Sequence, residues 1–105
     1  MNCTIRRYES IDQSRKSELV KKVDEGLLPT LRELPGFHGY SLIDAGDGVM
    51  TSVGFFDTAA QADESTRIAA GWLREQKLET AIPNAPMLTS GDVVVHKQMR
   101  ELVQS

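Results

Sequence analysis

The chain has 105 residues, of which 40% are hydrophobic and 26% charged, a balance that fits one soluble globular domain spanning residues 1–105 with a core large enough to stand without disulfides or a structural metal. A formal net charge of -3 leaves no basic field to gather phosphates, so nucleic acid is not an expected partner. Nor is a membrane: no apolar run approaches the ~20 residues of a spanning helix, and the start of the chain lacks the apolar stretch of a signal peptide, which points to the cytoplasm. The single cysteine, Cys3, cannot form an internal bridge and is expected to be a buried small hydrophobe.

Residues Asn2 to Tyr8 alternate in strand fashion, with Arg6 and Tyr8 on one face. Ser10 to Ser14 supplies turn and cap chemistry, and a helix follows from about Ser14. Its apolar stripe is Leu19, Val20, Val23, Leu27, Leu31 and Leu34. Pro29, with Gly26 nearby, is expected to kink or split that helix, because proline lacks an amide proton and crowds the carbonyl four residues back. Pro35-Gly36 ends the second piece.

Two strand-like runs flank Asp44-Ala45-Gly46-Asp47-Gly48, whose Asp and Gly residues favour a hairpin loop. Pairing Asp44 with Val49 would set Leu42 opposite Thr51, Tyr40 opposite Val53 and His38 opposite Phe55. Both faces of this hairpin then carry large apolar residues, so both are expected to be covered, one by helices and the other by a second copy of the chain. Thr58-Ala59-Ala60-Gln61 matches a capping box opening a helix with Ala59, Ala62, Thr66, Ala69, Leu73 and Gln76 on one stripe and Ile68 and Trp72 beside it. After the Pro83 to Pro86 breaker, the β-branched run from Val93 to Gln98 is the expected fourth strand, and Met99 to Ser105 a short helix or a frayed tail.

The order β-α-β-β-α-β is the ferredoxin-like pattern of an α+β domain, a four-stranded antiparallel sheet with two helices on one face. Leu34-Pro35-Gly36-Phe37-His38-Gly39-Tyr40, the Asp44 to Gly48 turn, Val53-Gly54-Phe55-Phe56-Asp57 leading into an Ala-rich helix, and Val93-Val94-Val95 together resemble the antibiotic biosynthesis monooxygenase-like group of the dimeric α+β barrel superfamily. The resemblance spans nearly the whole chain and implies two subunits joined sheet to sheet, with a pocket between sheet and helices in each. It implies members that oxidise polyketide quinols without a cofactor, others that degrade haem, and others of no known role. The haem-degrading branch is similar in carrying Asn on strand one, Trp on helix two and a following His. Here Asn2 and Trp72 are present, but no His lies between Trp72 and His96, and no haem role is carried over.

The candidate site residues follow from chemistry and placement. His38 is a candidate general base, because histidine is the side chain best suited to exchange protons near neutral pH, with Tyr40 on the same expected face as its catalytic companion. Trp72 and Tyr40 suit a flat apolar ligand, though both equally suit the core. Arg6 and Tyr8 could bind an anionic group, or Arg6 could pair at a dimer rim. Neither histidine has a second ligand at metal spacing, and no phosphate loop, nucleophile elbow or zinc motif occurs, so neither metal nor cofactor is expected. Two readings follow: a cytoplasmic homodimer that binds an apolar or aromatic small molecule as a cofactor-independent monooxygenase, or a non-catalytic dimeric binding or stress-response module whose cavity is packed shut.

Overall fold

A computed structural model describes residues 1–97. β1 (Asn2–Tyr8) leads through a 3-10 turn (Gln13–Arg15) into α1 (Lys16–Lys22), a π-helical turn (Val23–Leu27) and α2 (Leu28–Arg32). The hairpin β2 (Phe37–Gly46) and β3 (Val49–Phe56) follows, then α3 (Ala59–Glu75) and β4 (Met87–Asp92). The four strands form one antiparallel sheet in the order β2-β3-β1-β4, the ferredoxin-like α+β arrangement.

Local chemistry accounts for the helix ends. Asp12 accepts the Ser14 amide at 3.0 Å ahead of the 3-10 turn. The capping box is present in full: Thr58 Oγ1 accepts from the Gln61 amide at 3.2 Å and Gln61 Oε1 from the Thr58 amide at 3.1 Å. The expected break at Pro29 takes the form of the π turn, in which the Leu28 amide donates to the carbonyl of Val23, five residues back. Pro29 then falls in the first turn of α2, where a missing amide proton is harmless, and Thr30 Oγ1 satisfies the Gly26 carbonyl at 3.1 Å. Along this helical run Leu19, Val23, Leu27 and Leu31 are buried, whereas Val20 is exposed.

Two expectations of strand pairing are corrected. The hairpin turns on Asp47-Gly48 alone, with φ of 53° and 78°, the left-handed pair that a two-residue hairpin turn requires and that Asp-Gly supplies. A bulge between Asp44 and Gly46 takes up one residue, so Asp44 opposes Met50, Leu42 opposes Ser52 and Tyr40 opposes Gly54. A second irregularity, between Phe37 and Gly39, falls at His38 and removes it from the alternation that would have aligned it with Tyr40. The fourth strand is Met87–Asp92 rather than the run from Val93 to Gln98. β1 begins at Asn2, which already partners Asp92, so the β-branched residues overshoot the edge they would pair with. Val94 and Val95 are accordingly 89% and 86% exposed. Gln98 and the Met99 to Ser105 tail lie outside the described residues.

The helices cover one sheet face. Asn2, Thr4, Arg6 and Tyr8 of β1 and Met50, Ser52 and Phe56 of β3 are buried there, and Tyr8 and Met50 join Leu19, Val23, Leu27, Leu31, Ala69 and Trp72 in the core. α3 turns its Ala62, Ser65, Ala69 and Trp72 edge inward. Trp72 is thus on the buried stripe itself, while Ala59 and Gln76 are exposed. The other sheet face carries Ile5, Ile43, Val53, Phe55 and Met87 with no element of the described residues packed over it. Cys3 lies on that face and is only partly buried, contrary to expectation, because alternation puts it opposite Phe55 and away from the helices.

Candidate functional site

Two adjacent spaces lie between sheet and helices. The outer one is an open cleft of about 520 Å3 between α1 and β2, with Val20, Val23 and Leu28 on one wall and Tyr40 and Leu42 on the other. Its polar rim includes Lys16, whose Nζ stands 2.8 Å from Asp44 Oδ2 and so ties α1 to β2 across the cleft. The inner space is about 30 Å3, roughly the share of liquid volume taken by one water, and lies deeper between Arg6, Tyr8, Leu19, Leu27, Tyr40 and Trp72. Val23, Tyr40 and Leu42 line both and form the partition between them.

Four of the residues singled out from sequence therefore meet at one place. β1 alternation carries Arg6 and Tyr8 to the helix side, the shifted β2 register brings Tyr40 beside them, and the inward edge of α3 adds Trp72. His38 is not among them. It stands exposed at its bulge with Nε2 hydrogen-bonded to Asp57 Oδ1. His96 is also remote, its ring 5.8 Å from Phe55.

Arg6 is 2% exposed. Its Nε donates to Ser52 Oγ and its Nη1 to Thr66 Oγ1, each at 3.1 Å, and no carboxylate of the described residues pairs with it. The dimer-rim ion pair considered for Arg6 is thus replaced by a buried, hydroxyl-bonded guanidinium. Ser52 and Thr66 could not be found by spacing, since Ser52 meets Arg6 only through strand pairing and Thr66 only through the packing of α3 on the sheet.

Burial raises the pKa of both Tyr8 and Tyr40, and the adjacent Arg6 opposes the shift by its charge and hydrogen bonding. Both phenols are therefore hydrogen-bond donors at neutral pH. Because the folded values lie above the ordinary one, the neutral phenols stabilise the fold below about pH 10, and this contribution is lost as pH rises through the folded values. The melting temperature is expected to fall above pH 10, and a Tyr8→Phe, Tyr40→Phe double variant should show a shallower fall than the parent. An unchanged alkaline limb in the double variant would assign the loss to other groups.

No protein-family model matches the chain, and no curated protein does. Solved structures do. A monooxygenase from the gene ActVA-Orf6 of Streptomyces coelicolor, in complex with nanaomycin D, aligns at 15% identity over 93% of this chain and 91% of its own, with a TM-score of 0.70. An antibiotic biosynthesis monooxygenase aligns at 16% identity over 90% of this chain and all (100%) of its own, with a TM-score of 0.65. The chain shares the α+β fold of these structures. A mutant of MhuD with two manganese protoporphyrin IX bound per active site shares it, at 16% identity over 94% of this chain and 100% of its own, with a TM-score of 0.72. So does a protein of unknown function from Nitrosomonas europaea, at 15% identity over 93% of each chain, with a TM-score of 0.73.

Neither of the two histidines lines the cleft or the inner space.

Proposed function

We propose that the chain is a homodimer that binds a flat small molecule between sheet and helices and acts on it as a cofactor-independent monooxygenase. The observation that carries this reading is the adjacency of the open cleft and the inner space, which share Val23, Tyr40 and Leu42 as walls. A ring seated in the cleft meets apolar walls, with buried polar donors at one end to fix its orientation. For a ring carbon bearing two hydrogens, such a reaction replaces both with one oxygen atom of O2 and releases the other as water, the substrate supplying all the electrons. The chain then needs only to orient the ring and stabilise the deprotonated oxygen formed on the way, a role for the Tyr40 hydroxyl as donor at the partition, with Trp72 behind it in the wall of the inner space. His38, exposed and paired with Asp57, has no part in this.

The small size of the inner space favours the second reading, a non-catalytic binding module, and oxygen consumption with a panel of hydroquinones and anthrones separates the two. Turnover by the parent chain, reduced about 100-fold in Tyr40→Phe and unchanged in His38→Ala, is the expected result. Absence of turnover across the panel would leave the binding module; full activity in Tyr40→Phe would remove Tyr40 from the chemistry.

A further inference from the structure

Arg6 has a burial and a setting that neither the fold nor a purely apolar ligand requires. An arginine side chain stays charged at every accessible pH, and a buried charge is ordinarily offset by an opposite one. Here the partners on hand are the hydroxyls of Ser52 and Thr66, with the phenols of Tyr8 and Tyr40 close by. All are neutral, so the guanidinium brings a positive charge into the space between sheet and helices that no described side chain cancels.

We propose that this is the docking point for a carboxylate, and that the ligand is an aromatic acid whose ring lies in the outer cleft while its carboxylate passes Tyr40 to reach Arg6. The inference rests on the small-molecule reading above and replaces its apolar ligand by an acidic one. Size selects the head group. The inner space of about 30 Å3 cannot admit a ring, so an oxygen borne directly on a ring is held back at the partition, whereas a carboxylate projects beyond the ring by one further bond. Chemistry selects it too, since a planar guanidinium with phenol donors beside it matches a group with two acceptor oxygens in one plane. The cleft of about 520 Å3 has room for two fused or linked rings against Val20, Val23 and Leu28.

The test compares 2-naphthoate with its neutral isostere 2-naphthamide by calorimetry, and locates binding by the indole N–H resonance of Trp72, the chain's one tryptophan. The acid is expected to bind the parent chain about 10- to 100-fold more tightly than the amide and to shift the Trp72 resonance. Arg6→Met should bring the two affinities within about twofold, Arg6→Lys should keep an intermediate preference, and Tyr40→Phe should reduce it severalfold. Equal binding of acid and amide by the parent chain would overturn the proposal, as would a preference that survives in Arg6→Met. Should the methionine variant not fold, the parent ratio and the Tyr40→Phe ratio still decide. If neither probe binds, the small-molecule reading fails and takes this inference with it; if the amide alone binds as well as the acid, only the carboxylate site fails.

Discussion

Replacing Phe56 by alanine is expected to cost about 3–5 kcal/mol of folding stability, a large part of the ~5–15 kcal/mol available to a domain of this kind. Phe56 ends β3 on the helix-covered face and is 1% exposed. Its ring stands edge-on to Phe37, with centroids 5.7 Å apart and planes at 74°, the geometry that brings a positive ring edge to a negative face. The neighbouring glycine makes the room: a Cβ on Gly54 would stand 3.2 Å from Phe56 Cε2. Alanine at 56 therefore removes both the transfer energy of the ring and its contacts, and the site cannot collapse because β1 and β2 bracket β3 on both sides. The check is urea unfolding, in which the midpoint should drop steeply with little change in slope, while Phe56→Leu should lose less than half as much. A loss below about 1 kcal/mol for alanine would mean that the ring is not the packing centre of this end of the sheet.

The elements that follow from local chemistry were legible in the chain itself. Alternation marks β1, and the reciprocal Thr58 and Gln61 bonds mark the start of α3. What was not legible depends on pairing between distant segments. Counting residues around the hairpin cannot reveal that a bulge absorbs one of them, and that single residue decides whether Tyr40 faces Val53 or Gly54, while a second irregularity at His38 decides whether His38 shares its face. The β-branched run after Asp92 has high strand propensity, yet its conformation is set by how far β1 extends to receive it. The same division runs through the candidate site. Arg6 and Tyr8 share a face by simple alternation, and Trp72 needs only the helical period. The hydroxyls that hold Arg6, however, emerge only from strand pairing and helix packing, and with them the fact that this charge has no carboxylate beside it.

Val53→Asp is expected to convert a dimer into monomers without unfolding the chain. The sheet face away from the helices sets Val53 opposite Ile5, with Ile43 and Met87 on the same face and 48% and 62% exposed. Val94 and Val95, just after β4, are exposed as well. An antiparallel sheet that met water on this side would alternate to polar residues here; instead the outward positions are as apolar as the inward ones. A second copy of the chain is the proposed cover, and a two-fold interface makes each substitution count twice, placing two carboxylates in one apolar contact. Burying an unpaired charge costs several kcal/mol, so the dissociation constant should rise by at least about 100-fold. In the monomer the same side chain lies at the surface, where a charge costs the fold little. Light scattering at low micromolar concentration should therefore give twice the chain mass of 11.6 kDa for the parent and the single mass for Val53→Asp, with unchanged far-ultraviolet circular dichroism. A parent chain that scatters as a monomer, or a variant that stays dimeric, would show that the apolar face is not the subunit contact.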